Sequence, residues 1–357
     1  MIGTVLGGRY RIVATLGEGG MGAVYRGEDL TLGSPVAIKL LHVAQLARPG
    51  VSKRFFQEAT SASKIGHPGI IRVLDFAHAA DGSPYLVMEL LDGEPLTGRL
   101  QREGRLAEPT LIAIGRQIAS ALQATHGAGI VHRDLKPDNV FLVRDPRFEI
   151  SVKILDFGIA KVLAEEGAAP AAPKLTNTGG VIGTAEYMSP EQCRDSSRAD
   201  HRSDIYALGC LLYRLACGRP PFVCESFGET LAAHICDSPV PPRQMGAAIS
   251  PALDRLIRRC LDKRPSQRPQ SMAAVDGELA ACESQVERHR ATTLPPGQVL
   301  PIAPPRPTVV TAIAERITAA SREPPATTAR AAEPALVDRG DRGAPGLGER
   351  SRPGPKS

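Results

Sequence analysis

The sequence holds no Trp, and Phe and Tyr bring its aromatic content to only 4%. A core must therefore be packed mainly from Leu, Ile, Val and Ala. No apolar run reaches the roughly 20 residues of a membrane-spanning helix. The most apolar stretch, residues 205–217, ends just before Arg219 and reads as a buried core helix. The N-terminus, Met1-Ile2-Gly3-Thr4-Val5-Leu6-Gly7-Gly8, lacks the basic and apolar regions of a secretory signal, so a cytoplasmic protein is expected. The 7 cysteines (193, 210, 217, 224, 236, 260 and 282) are odd in number and show no CxxC spacing. That argues against a disulfide framework and against a zinc site, and for reduced thiols. Charge of one sign is also missing from most of the chain. Of the 43 Lys and Arg and 38 Asp and Glu, 11 and 6 lie from Arg288 onward, which leaves 32 of each before it. The net +5 thus belongs to the tail, and no nucleic-acid partner is expected.

What is present is enough for a well-buried core: 357 residues, 42% hydrophobic. From residue 10 to about 85 the pattern is strand-like, as in Val36-Ala37-Ile38-Lys39-Leu40-Leu41. Two further strand patterns, 70–77 and 85–90, flank Asp81-Gly82, a hairpin turn signal. One helix is expected over 52–65. After Leu91-Asp92-Gly93 the period becomes helical, with Leu111, Ile114, Ile118 and Leu122 on one face. Further helices are expected over 203–217, 227–236, 252–261 and 272–284. The expected architecture is α+β: a small β-rich lobe with one helix over 10–91 and a larger helical lobe over 92–285. A Pro-, Ala- and Arg-rich tail over 286–357 has too little apolar surface to offset ordering entropy and is expected to be disordered.

Gly17-Glu18-Gly19-Gly20-Met21-Gly22-Ala23-Val24 is a glycine-rich turn whose bare backbone can approach phosphate oxygens. A dinucleotide-binding fingerprint would open a helix at this point. Here a strand-like Ala23-Val24-Tyr25-Arg26-Gly27 follows, and then Lys39 at the end of an apolar strand. An ammonium so placed needs an acid or a phosphate. Glu58, on the single expected helix of this region, is the natural partner.

His132-Arg133-Asp134-Leu135-Lys136-Pro137-Asp138-Asn139, followed 17 positions beyond Asn139 by Asp156-Phe157-Gly158, makes a resemblance specific. The chain resembles the eukaryotic-like serine/threonine protein kinases found in bacteria, and the resemblance implies their two-lobed fold. It implies Asp134 as the residue that orients the acceptor hydroxyl and takes its proton, with Lys136 stabilising the transferring γ-phosphoryl. Lys39 and Glu58 then form the phosphate-positioning pair, and Thr184 contacts the catalytic residues. ATP is implied as the nucleotide, lined by Leu16, Gly17, Glu18, Gly19, Gly20, Met21, Gly22, Val24, Ala37, Lys39, Met88, Glu89, Leu91, Asn139 and Asp156. Asn139 and Asp156 are the implied ligands of Mg²⁺, with Mn²⁺ as a substitute.

The segment between Asp156 and Ser189-Pro190-Glu191 resembles an activation loop and contains Thr176 and Thr178. Phosphate on either adds about two negative charges that a cation can bind, and Arg133 beside Asp134 is the expected receiver. Gly183-Thr184-Ala185-Glu186-Tyr187-Met188 resembles the loop that receives the substrate. It departs from the family at Ala185, where Pro is common, and at Ser189, where Ala is common. Glu191 with Arg268 resembles a buried ion pair of the large lobe, and Asp204 resembles the helix residue that holds the catalytic-loop backbone. Protein substrates are the implied partners, with self-phosphorylation in trans through a dimer as an extension. The competing reading is a catalytically silent scaffold that recruits partners through its tail. The presence together of Lys39, Glu58, Asp134, Asn139 and Asp156 argues against it.

Overall fold

The computed structural model of the protein describes residues 1–19, 22–41, 65–145, 148–155 and 185–293. All belong to the first of two units, Met1–Leu294, and the second, Pro295–Ser357, lies outside them.

Period-two burial builds the first sheet. Along Gly22–Asp29 buried residues alternate with more exposed ones, so one side chain in two enters a core. Six strands, β1 (Val5–Leu6), β2 (Tyr10–Gly19), β3 (Gly22–Asp29), β4 (Ser34–Leu41), β5 (Val73–His78) and β6 (Pro84–Glu89), pair antiparallel in the order β1-β2-β3-β4-β6-β5. One face buries Ile12, Tyr25, Val36, Ile38, Leu40, Tyr85 and Val87. The other carries Ala37, Leu41, Leu86 and Met88, packed with Ile71. The Asp81-Gly82 turn forms as expected: Gly82 takes a φ of 83°, and Asp81 Oδ1 accepts from the Ser83 amide at 2.9 Å. The strand expected from residue 70 begins instead at Val73, because Ile70 forms a parallel bridge with Ile154.

The chain then enters a second sheet, β7 (Gly93–Pro95), β8 (Val140–Asp145) and β9 (Phe148–Ile154), paired in that order. Seven α-helices occur among the described residues: α1 (Leu96–Glu103), α2 (Glu108–Gly127), α3 (Pro190–Arg194), α4 (His201–Cys217), α5 (Phe227–Cys236), α6 (Pro251–Cys260) and α7 (Met272–Thr293). Helix α4 is buried along nearly its whole length, with every residue from Ser203 to Tyr213 inside the core. Asp200 caps its start by accepting from the Arg202 amide, and Gly218 ends it in the left-handed region. Ser226 and Ser250 cap α5 and α6 in the same way as Asp200.

Helix α5 occupies the expected residues, whereas α7 runs past its expected end and makes 286–293 helical. The first residue that cannot continue that helix is Pro295, so disorder from 286 is corrected over this stretch. The helix expected over 52–65 lies outside the described residues except for Ile65. No disulfide joins any of the seven cysteines, and burial pushes Cys260 up to about 12 and so keeps it protonated. Among the described residues no helix is long and apolar enough to cross a membrane.

Candidate active site

The catalytic loop leaves the end of α2 and is pinned from below by α4. Asp204, fully buried, accepts from the His132 amide through Oδ2 and from the Arg133 amide through Oδ1, both at 2.8 Å. Its Oδ2 also lies 2.7 Å from His126 Nε2. A buried carboxylate without such donors would be prohibitively costly, so the loop backbone and the helix side chain need each other. Arg133 pays the conformational cost: its φ of 63° is left-handed, the one such value at a non-glycine among the described residues. Both its backbone groups are tied, the amide by Asp204 and the carbonyl by Gln192 Nε2 at 2.9 Å.

This frame presents the residues expected to do chemistry. Lys136 Nζ lies 3.3 Å from Asp134 Oδ2. Asn139 donates from Nδ2 to the Asp134 carbonyl at 2.7 Å and to Asp134 Oδ2 at 3.2 Å. With its nitrogen so engaged, Asn139 has its carbonyl oxygen as the end suited to a hard cation. The Asn139 carbonyl of the main chain accepts from Leu155, which fixes the loop to the end of β9. Asp134, Lys136 and Asn139 are thus brought together as expected.

On the first sheet, Gly17, Val24, Lys39 and Leu86 stand in one row across β2, β3, β4 and β6. Ala37 pairs with Met88 in the neighbouring register, so Val24, Ala37, Lys39 and Met88 share a face. The glycines differ in what they are for. A Cβ at Gly22 would run into the Leu40 carbonyl, so its bareness serves strand packing, while Gly17 has open space around it. Leu16 is exposed. Glu89 turns its carboxylate to Lys153 Nζ at 2.6 Å and to the Arg72 amide at 2.8 Å. Its side chain is therefore committed to β9 and to the Arg72 backbone. Gly20, Met21, Glu58, Asp156, Thr176, Thr178 and Thr184 lie outside the described residues.

Helix α3 braces the loop from the side. Ser189, the departure from the family pattern, caps it in a reciprocal box with Gln192, and that same Gln192 holds the Arg133 carbonyl. Glu191 receives Arg268 at 2.7 and 2.8 Å and Ser203 Oγ at 2.6 Å, as the resemblance implied. Burial alone would raise the Glu191 carboxyl, but Arg268 outweighs it and holds the group below its ordinary value. Sequence reading missed Gln192, Lys153 and Thr97, which donates to Asp138 Oδ1 at 3.0 Å. Lys153 left a signal, a charge inside an apolar strand; Gln192 left none.

Residues 10–279 match the protein kinase domain family. Over 299 residues the chain is 44% identical to the serine/threonine-protein kinase pkn3 of Myxococcus xanthus, covering 82% of this chain and 53% of that protein. It is 39% identical over 278 residues to the serine/threonine-protein kinase PknB of Mycolicibacterium smegmatis, covering 77% of this chain and 43% of that one. It therefore spans about half the length of these curated relatives, or less. A crystal structure of the Mycobacterium tuberculosis PknI kinase domain, a double mutant, aligns with a TM-score of 0.62 at 25% identity, over 79% of this chain and 98% of that one. With a β-rich sheet, a helical lobe and the catalytic loop between them, the chain belongs to the protein kinase family.

Proposed function

We propose that the chain is a serine/threonine protein kinase that moves the γ-phosphoryl group of ATP to a Ser or Thr hydroxyl of a protein. The observation that carries this reading is the Asp134 carboxylate, held between Lys136 and Asn139 on a loop anchored to a buried helix. In this reading Asp134 orients the acceptor hydroxyl and takes its proton as the oxygen bonds to phosphorus. Lys136 sets positive charge beside the transferring group, and Lys39 positions the remaining phosphates. Bound Mg²⁺, or Mn²⁺ in its place, would be held by Asn139 and Asp156 and would neutralise phosphate charge. Catalysis then rests on positioning and fixed charge.

Activity is further proposed to be conditional on phosphate at Thr176 or Thr178, added by a second copy in trans. In support, Arg133 Nη1 is buried with no hydrogen-bond partner among the described residues, while Nη2 holds the Ala199 carbonyl. A phosphate would satisfy that donor. Lobes over 10–91 and 92–285, a recruiting or phosphate-accepting role for 286–357, and a cytoplasmic location complete the proposal. Incubation with Mg²⁺ and labelled ATP tests the central claim. The unaltered chain is expected to label itself or a generic basic protein, and Asp134→Asn to lower the rate about 10²–10⁴-fold. No transfer by the unaltered chain, or an equal rate in the variant, sinks the reading.

A further inference from the structure

Lys153 stands inside an apolar strand, Val152-Lys153-Ile154-Leu155, and the reaction proposed above gives it no part. Its ammonium lies 2.6 Å from Glu89 Oε1 and 3.3 Å from the Ile70 carbonyl. The same Glu89 oxygen accepts from the Arg72 amide, and the Glu89 amide donates back to the Arg72 carbonyl at 3.0 Å. The two charged side chains are 17% and 22% exposed, so water and salt screen them less than a surface pair.

Three segments meet here. Backbone bonds join residues 69–72 to β9, with Ile154 donating to the Gly69 carbonyl at 2.8 Å and the Ile71 amide to the Ile154 carbonyl at 2.9 Å, and the Glu89–Arg72 bond joins them to the exit of β6. The Lys153–Glu89 pair ties β9 directly to that exit, side chain to side chain. Just past Glu89, Leu90 and Leu91 belong to no strand and lead to β7 at Gly93. In the proposed ATP site Glu89 and Leu91 line the nucleotide, and backbone N–H and C=O groups that no strand uses can hydrogen-bond a planar base.

We propose that Lys153 is a positioning residue for the nucleotide: through Glu89 it fixes the exit of β6, and with it the backbone of Leu90 and Leu91, against β9. The proposal rests on the ATP-site reading above. Hydrogen bonds to a planar base are directional, so a strand exit free to drift weakens them without touching the reacting atoms. Without the ammonium, the Glu89 carboxylate is left in a half-screened place and gains by swinging to water, which releases the exit. The effect should fall on nucleotide affinity and leave the chemical step alone.

The test measures ATP affinity by calorimetry and the KM and kcat of transfer, with melting temperature alongside. Lys153→Met is expected to raise the Kd and KM for ATP about tenfold, with kcat at saturating ATP within about threefold. Lys153→Arg, which keeps the charge and the reach, should return the affinity to within about twofold of the unaltered chain. Lys153→Met combined with Glu89→Gln should be no weaker than Lys153→Met alone, because an amide needs no cation. Unchanged ATP affinity in Lys153→Met overturns the proposal. So does an equal loss in Lys153→Arg, or a fall in kcat at constant KM. If Lys153→Met does not fold, Lys153→Gln, which removes the charge but keeps a polar end, carries the same measurement. If the unaltered chain binds no ATP, the nucleotide reading falls and takes this role with it. Binding by the unaltered chain that the variants match overturns the positioning role alone.

Discussion

Arg133 holds a backbone conformation that costs an ordinary residue about 1–2 kcal/mol, and it keeps it because Asp204 and Gln192 grip both sides of its peptide plane. The grip depends on a carboxylate with two accepting oxygens. Asp204→Asn replaces one of them with a donor, which must then face a backbone N–H in a fully buried site. We expect about 3 kcal/mol of lost stability by denaturant unfolding, with a fall in kcat larger than any change in the KM for ATP. A variant as stable and active as the parent would show that the loop holds itself. At this scale, what could be read in advance depended on chemistry carried by short motifs. Asp134, Lys136, Asn139 and Asp204 are marked by their immediate neighbours. Gln192 reaches Arg133 across 59 positions, and no local pattern records such a contact.

Among elements, α4 shows two effects opposed at one residue. Gly209 lies in the middle of the helix, where Ala would be favoured by about 1 kcal/mol on propensity. A Cβ there would stand 2.7 Å from Cys260 Cβ of α6, closer than carbon atoms pack. Overpacking costs about 1–3 kcal/mol, so Gly209→Ala is expected to destabilise by about 1 kcal/mol, read as a lower urea midpoint at unchanged slope. A gain in stability would mean that α6 can shift outward. Helix α5 was legible because its cap, its period and its end coincide within ten residues. The late start of β5 was not, since Ile70 is as good a strand residue as Val73, and only its partner Ile154 decides where it goes. Composition also misjudged 286–293, where polarity was taken for disorder although no breaker stands before Pro295.

For the whole molecule, acid is the lever. His234 is fully buried against Tyr206, whose hydroxyl lies 2.9 Å from its Nδ1. Burial, with help from the Lys263 charge, lowers its pKa from the ordinary 6.5 to about 3. As pH falls below 6.5 the unfolded chain takes up a proton that the folded chain refuses until about pH 3. This group alone therefore removes about 1.4 kcal/mol of stability per pH unit across that window. Between pH 6 and 4 the unfolding free energy of the unaltered chain should fall more steeply than that of His234→Gln, by the slope of about one proton. Equal slopes in the two proteins would place the acid sensitivity elsewhere.

The Asp204 anchorage has a consequence for how such a molecule can be switched off. Helix α4 cannot sit in the core unless the amides of His132 and Arg133 close over its carboxylate, so assembling the interior and shaping the catalytic loop are one cooperative event. Loosening that loop therefore costs stability together with activity. On the proposed reading, a switch that spares the fold acts on groups less tightly joined to the interior, and the Arg133 guanidinium, with Nη1 unpartnered among the described residues, is one of them.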